Sequence, residues 1–335
     1  MTPEVVWPFN KKGKGIVMAD DYSKSLDTQI QETQEKQKRS YKYVSLCLIM
    51  LFLGTFIINI IVSIFQIPNL EKVAIFWFVF WVAATIISVS KWSKSEETLR
   101  SKMAEKICIE DILNQYLEVE IFDPERAVDD EIRGAAGLSC KGHGHNYIKG
   151  KINGSSIETS YVHMDEGGDG FFLYKGQLTY LKNKCRFPGN VLLVRTGNHR
   201  EYGMGNHYYT NLPKMLDGPP KSLIDALKEK DREQYRITIT AGPLESQWEV
   251  FATDPEMARR LLDPHTELYR RLLDAPRLAF VYYCDDSIYF GGNYCFDLTK
   301  GTPEEVRAKV EEAMDGLIME GVGTVLSAEY PAEGE

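Results

Sequence analysis

The residues near position 140 are of the types that bind transition metals. Cys140, His143 and His145 lie within six residues, and a thiolate with two imidazoles can supply three ligands of a tetrahedral zinc site. The fourth ligand would have to approach through the fold, from His163 or Cys185. Glycines on both sides of His143 suit a plain flexible loop. We therefore predict no metal or other cofactor, and keep a metal-assisted site at these residues as the alternative.

Other candidate chemistry is weaker. Cys284 and Cys295 flank a predicted hairpin, but no histidine lies near them in sequence, and cysteines in strands commonly serve as packing. The glycine pairs at 203–205 and 321–323 lack the Lys-Ser/Thr of a phosphate-binding loop. We predict no catalytic residue, and an enzyme remains the alternative to a binding protein.

Two uncharged apolar runs, at 44–67 and 73–90, dominate the first hundred residues. Each is long enough to cross a hydrocarbon layer about 30 Å thick. The five residues between them cannot form a domain, so the pattern predicts a transmembrane hairpin with both ends on one side. Gly54 and Asn59 are its candidate packing residues, because a polar side chain at mid-depth usually faces another helix. We expect the hairpin to self-associate or to pair with a membrane protein.

Basic residues indicate the orientation of the hairpin. They flank both apolar runs, whereas the short break carries Lys72 beside Glu71. The positive-inside rule then predicts a protein of a bacterial inner or plasma membrane with both termini in the cytoplasm. We call these flanking basic residues the collar and expect them to lie near anionic lipid headgroups. Six cysteines without pair spacing fit a reducing compartment. The collar residues are Lys36, Lys38, Arg39, Lys42, Lys91, Lys94, Arg100, Lys102 and Lys106.

Charge divides at the same boundary. Residues 1–100 hold 12 Lys and Arg against 9 Asp and Glu, which leaves a net charge of −12 for the remainder of a chain whose total is −9. An acidic domain without a basic patch does not suit nucleic acid. We therefore expect no nucleic-acid partner.

The residues after the hairpin predict an α+β fold. We expect a membrane-proximal helix followed by one cytoplasmic domain with an antiparallel sheet and flanking helices, because apolar residues alternate in short runs bounded by turn residues. The predicted divisions are a juxtamembrane segment at 1–42, the hairpin at 43–90, the helix at 91–120 and the domain at 121–330.

Local signals place the elements of that domain. Asn153-Gly154 marks a turn between strands, and Asp254-Pro255 marks a helix start with a capping aspartate. Asp263-Pro264 repeats the second pattern, and Thr302-Pro303 begins a last helix. Further predicted elements are strands over 145–195, a long loop at 197–220, strands at 235–240 and 247–252, and a hairpin at 278–290.

One segment resembles a bacterial membrane-anchored family catalogued as domain of unknown function 3137. The similarity lies in the strand Trp248-Glu249-Val250-Phe251, then Asp254, then Ala258-Arg259-Arg260-Leu261-Leu262 before Pro264, with Trp248 where the family usually has Phe. Tyr174-Lys175-Gly176 and the acidic segment 129–134 are also similar.

The resemblance implies a domain of this kind after a membrane hairpin, and a LemA-type membrane protein as partner; it implies no activity. The side chains themselves indicate structural roles. Trp248 suits a strand core and Asp254 a helix cap, and Arg259 is expected to pair with Glu245, Glu249 or Asp254. The sequence thus favours a non-enzymatic, membrane-anchored module that binds a protein, with a hydrolase or metal enzyme near Cys140, His143 and His145 as the alternative.

The predicted topology can be tested by labelling. A thiol introduced by Asn69→Cys should react with an impermeant maleimide added outside intact cells, because the hairpin loop faces outward. Native Cys185 should react only after permeabilisation, which also serves as the control for its accessibility. Labelling of Cys185 but not of position 69 in intact cells would show that the hairpin has the opposite orientation, which would contradict the predicted topology.

Overall fold

The computed structural model describes residues 14–65, 70–136, 142–165, 172–182, 186–187, 189–195, 237 and 242–328. The chain divides into two compact units. The first comprises Met1–Ile107 with Leu298–Pro303, and the second comprises Cys108–Asp297 with Glu304–Glu335.

Two long helices make up most of the first unit. Helix α1 spans Lys14–Phe65 and α2 spans Leu70–Lys106, so both extend beyond the predicted membrane spans. Neither Gly nor Pro interrupts α2, and α1 has only Gly15 and Gly54, which explains why both helices continue. The helix predicted over 91–120 is shorter. It ends at Lys106, and Cys108 adopts a left-handed φ of 51°.

Side-chain contacts join α1 and α2 along most of their length. The helices run antiparallel, and Gln34 also donates its amide to the carbonyl of Gly301, at 3.4 Å. The joining pairs are Asp27–Lys106 (2.8 Å), Thr33–Lys102 (3.5 Å), Tyr41–Trp92 (ring centroids 6.5 Å apart), Cys47–Ser88 (3.8 Å) and Gly54–Trp77.

The apolar parts of both helices turn most of their side chains outward. Phe52 is 70% exposed and Phe76 is 73% exposed, and the most apolar window of each helix is only 6% and 0% buried. Both helices are long and apolar enough to cross a membrane.

The second unit is an α+β domain built on one eight-stranded antiparallel sheet, which confirms the predicted fold class. The strand order is β1-β2-β3-β4-β8-β7-β5-β6. The C-terminal strands β8 and β7 are therefore inserted between β4 and β5, which follow one another in sequence. The strands are β1 Glu118–Asp123, β2 Gly142–Ile152, β3 Ser155–Asp165, β4 Phe172–Lys182, β5 Asn190–Arg195, β6 Trp248–Ala252, β7 Leu278–Cys284 and β8 Ser287–Gly292.

Short helices cover the sheet. The carbonyl of Leu272 in α6 (Glu267–Leu273) accepts from the indole N–H of Trp248 (3.3 Å), and the carbonyl of Val325 in α8 (Gly323–Leu326) accepts from the hydroxyl of Tyr283 (3.2 Å). Trp248 and Tyr283 pair with residues 195 and 191 of the same strand, so they point to one face of the sheet and both helices lie on that face. Six of the seven β7 residues are buried, as expected for a central strand. The helices are α3 Ile109–Leu113, α4 Asp130–Ala135, α5 Pro255–Leu261, α6 Glu267–Leu273, α7 Pro303–Asp315 and α8 Gly323–Leu326, with a π-helical segment at Gly316–Val322.

Most local predictions are confirmed. Asn153 and Gly154 have φ of 50° and 77° in the turn between β2 and β3, as a tight hairpin turn requires. Asp254 accepts bonds from the backbone of Glu256 and Met257 and caps α5. The long loop predicted at 197–220 lies outside the described residues, and of the strand predicted at 235–240 only Ile237 is described.

The start of α6 differs from the prediction. Asp263 accepts a bond from the backbone of His265, at 2.9 Å, and therefore closes a turn instead of capping a helix. The cap is Thr266, whose hydroxyl accepts from the backbone of Tyr269, at 3.2 Å. The helix thus begins at Glu267.

Gly54 can be tested as the closest approach of α1 to α2. A Cβ at this position would overlap the indole of Trp77, so Gly54→Leu should separate the helices. The Cys47 thiol lies 3.8 Å from the Ser88 hydroxyl, and Ser88→Cys should give a disulfide with Cys47 on mild oxidation. Gly54→Leu should slow that crosslink severalfold, whereas the outward-facing Phe52→Leu should leave its rate unchanged. Equal rates in the two variants would show that this contact does not hold the helices together.

Candidate functional site

Three candidate metal-binding histidines share one face of the sheet. In the β2–β3 register His143 lies opposite His163, and His145 lies opposite Tyr161. His143 and His145 are two residues apart in one strand, so their side chains point to the same face. The loop predicted around His143 is therefore wrong, because residues 142–145 belong to β2.

The rings of this group are in contact. The centroids of His143 and His163 are 4.7 Å apart with planes at 53°, and His145 stacks on Tyr161 at 4.5 Å and 21°. Lys175 continues the row on β4, opposite His163. Cys140 and Cys185 lie outside the described residues. Within the described part of the chain, no group of three or more His, Cys, Asp or Glu side chains is placed so that it could hold a metal ion.

The two candidate nucleophilic cysteines are poorly activated. Burial raises the pKa of the Cys295 thiol to about 12, although nearby Lys175 acts in the opposite direction. Burial also raises the pKa of Cys284, and Asp285 and Asp286 add to the effect. Both thiols are therefore protonated at neutral pH, and the thiolate is the reactive form.

Trp248 of the family-like segment packs against a buried arginine, Arg195, that was not among the predicted site residues. Arg195, at the end of β5, donates to the carbonyls of Leu278 (3.1 Å), Ala275 (2.7 Å) and Leu272 (3.3 Å). Its guanidinium carbon lies 4.9 Å from the ring centre of Trp248. The available sequence signal was a charged residue at the end of the apolar run 191–194, on the same strand face as the buried Leu193.

Glu320 adds a carboxylate near the start of β7. It accepts a bond from the backbone N–H of Arg277 and is held there by the π-helical segment. Burial raises the pKa of Glu320, although the backbone N–H groups of Arg277 and Leu278 and the charges of Arg277 and Arg195 lower it. No sequence signal distinguished residues 316–322 from an ordinary helix.

The other hallmark residues have separate positions. Glu249 lies on β6 opposite Val194, and Asp254 caps α5. Arg259 is exposed and pairs with Glu256 on its own helix, at 2.6 Å, instead of with the partners expected from the sequence. The reason is helical periodicity, since Met257, Ala258 and Leu261 occupy the core-facing positions.

The packing residues of the membrane-type helices are only partly described. Gly54 lies against the indole of Trp77 on α2. Asn59 belongs to α1, but its side chain lies outside what the structure describes, so its pairing stays a prediction.

Fold and candidate sites together define a class: an α+β domain whose chain also carries two helices suited to a membrane. No protein-family model matches the chain, and no curated protein matches it, so the resemblance described above stays a prediction. A crystal structure of the mycobacterial trehalose monomycolate transport factor A, TtfA, matches with 15% sequence identity over 65% of this chain and 94% of that chain. The TM-score is 0.32, too low to establish a common fold.

Substitutions of Arg195 and Arg259 should differ strongly in their effect on the free energy of unfolding. Arg195→Met should lower the free energy of unfolding by at least about 2 kcal/mol, because three buried carbonyls lose their donor. Arg259→Ala should change it by about 0.5 kcal/mol or less, because an exposed i,i+3 pair contributes little. Denaturant unfolding of the detergent-solubilised protein, followed by near-UV circular dichroism, measures both. Equal losses would contradict the structural role of Arg195.

Proposed function

We propose that this chain is a membrane-anchored cytoplasmic binding or scaffold module that acts, without catalysis, through a protein partner. The outward-facing apolar surface of α1 and α2 carries the proposal. Burying one large apolar side chain contributes about 1.5–3 kcal/mol, so leaving many of them in water would be very costly. Side chains on both helices show this exposure, among them Phe52, Phe56, Ile75, Phe76 and Ile86.

The pattern of exposure argues against other origins of such helices. The core helix of a soluble protein would be largely buried, but the apolar windows here are 6% and 0% buried. A signal sequence would be one short apolar segment, whereas here two antiparallel helices contact each other through Cys47–Ser88 and Gly54–Trp77. Insertion into lipid is the arrangement that covers this surface.

Aromatic and basic residues support one boundary of the membrane. Tyr41 on α1 and Trp92 on α2 are in ring contact, so the ends of both apolar runs lie at one level of the hairpin. Tyr and Trp are enriched at membrane–water interfaces. Lys42 and Lys91 lie next to them in sequence, which supports a cytoplasmic interface with anionic headgroups at this level.

The described side chains of the domain support binding over catalysis. Arg195, Trp248 and Asp254 are engaged in the core or in a helix cap. The thiols of Cys284 and Cys295 are held in their protonated form. A membrane protein is the partner class that we propose, and the LemA-type candidate follows from the resemblance alone.

Insertion of the helices can be tested by alkaline extraction of membranes. The parent chain should remain in the membrane pellet. Phe80→Lys, at an exposed position near the middle of the apolar run of α2, should release a large fraction, because a lysine at that depth costs about 2.5–3.5 kcal/mol. Tyr41→Lys is the matched control, since a lysine at the boundary reaches the headgroups, and it should stay in the pellet. Extraction of the parent chain would contradict the anchor.

The partner can be sought by crosslinking in intact membranes, followed by identification of proteins recovered with the tagged chain. A chain in which residues 44–90 are replaced by an unrelated two-helix hairpin separates the two binding surfaces. Recovery of the same stoichiometric partner would assign binding to the domain, and its loss would assign binding to the hairpin. Absence of any stoichiometric partner from the parent sample would contradict the proposed function.

A further inference from the structure

We propose that His143, His163 and Lys175 form a binding site for a phosphate group, on the face shared by β2, β3 and β4. We call these three residues the basic row. The proposal is independent of the membrane-anchored binding role, because it rests on the domain alone. It starts from the strand register, which brings three side chains able to carry positive charge directly beside one another.

The register aligns the basic row across three strands. His143 of β2 lies opposite His163 of β3, and His163 lies opposite Lys175 of β4. Directly opposite residues point to the same face, and neighbouring strands are about 4.7–4.9 Å apart, so the row spans about 10 Å. The rings of His143 and His163 are already in contact, with centroids 4.7 Å apart. One small anion above the central residue can therefore reach donors from all three side chains.

Lys175 carries a positive charge that lacks compensation. Among the described residues its ammonium has no hydrogen bond and no ion pair, and the side chain is exposed. Like charges directly opposite one another destabilise a sheet, so protonation of the imidazoles beside Lys175 is costly without an anion. The other lysines of the described strands each pair with a carboxylate, in Lys149–Glu158 (2.9 Å), Lys151–Glu120 (3.0 Å) and Lys182–Asp286 (3.3 Å).

The neighbouring row on the same face also favours an anion. It consists of His145, Tyr161 and Gln177, so in the described strands it adds no carboxylate that would repel a negative ligand. His145 stacks on Tyr161 with ring centroids 4.5 Å apart, which gives the basic row an aromatic border. Burial raises the pKa of the Cys295 thiol and the ammonium of Lys175 lowers it, so this ammonium stays close to the domain.

The donor set selects a phosphate over a planar carboxylate. Arginine is the residue that binds carboxylates in a bidentate manner, and the basic row contains none. Lysine binds phosphate as a point charge, and each imidazole adds one N–H donor when neutral and two when protonated. Donors from three adjacent strands approach from different directions, which suits a tetrahedral group. The phosphate belongs either to a soluble compound or to a lipid headgroup.

Protection of His143 from diethyl pyrocarbonate tests the site in the full-length protein, held in nanodiscs of phosphatidylcholine. The reagent acylates unprotonated imidazoles, and mass spectrometry of peptides gives a rate for each histidine. Inorganic phosphate should slow the acylation of His143 to a plateau, whereas acetate at equal ionic strength should protect at least about tenfold less well. His265 is the control, because it is exposed on the turn before α6 and its rate should not change.

Variants of two lysines on β4 separate the site from general attraction of anions. Lys175→Gln should weaken phosphate protection of His143 about tenfold or more, because it removes a charge-assisted hydrogen bond. Lys175→Arg keeps the charge and should retain most of the protection. Lys182→Gln is the matched control, since Lys182 lies on the same strand but pairs with Asp286. Each variant should melt like the parent, because the substituted side chains are exposed.

A second bilayer identifies the source of the phosphate. Protection of His143 in nanodiscs with phosphatidic acid, without added phosphate, would assign the site to a lipid headgroup. Protection by inorganic phosphate alone would assign it to a soluble phosphate compound. The proposal would be overturned by the absence of saturable protection in both bilayers, by equal protection from acetate, or by equal protection in Lys175→Gln and Lys182→Gln.

Discussion

The charge of Arg195 has to be satisfied inside the domain, and this requirement organises the elements around it. Its guanidinium donates to backbone carbonyls from the end of α6, the following turn and the start of β7, and it packs on Trp248 of β6. A buried charge without such partners costs several kcal/mol, so β5, β6, β7 and the end of α6 can adopt their native positions only together. Trp248, the first residue of the family-like segment, thus has a structural role. Trp248 covers the guanidinium and donates its indole N–H to the carbonyl of Leu272, which also accepts a bond from Arg195.

A different constraint governs the first unit. Its apolar side chains face outward, and the two helices contact each other through small or polar residues such as Gly54, Cys47 and Ser88. Close approach at small residues is how helices associate where lipid removes the hydrophobic driving force. Beyond Tyr41 and Trp92 the same helices continue as a polar pair, joined by contacts typical of water-exposed helices.

Local rules predicted the parts of the fold that depend on nearby residues. Asn153-Gly154 and Asp254-Pro255 behave as their types require. The pairing of β4 with β8 was not predictable, because it depends on packing between distant segments, and neither was the hydrogen bonding of Arg195. The histidines near position 143 were predictable by residue type, but their place in a strand was not. Gly144 suggested a loop, whereas the glycine is needed because a Cβ there would overlap the carbonyl of Tyr161 on the neighbouring strand.

The strand order has a consequence for how the chain folds during synthesis. The partner of β4 is β8, which leaves the ribosome more than one hundred residues later. At about 5–20 residues per second, β4 therefore waits roughly 5–20 s with one edge unpaired. An exposed strand edge is a template for wrong pairing with other chains. A nascent chain stalled between Lys182 and Ser287 should accordingly require chaperone protection that the completed domain does not need.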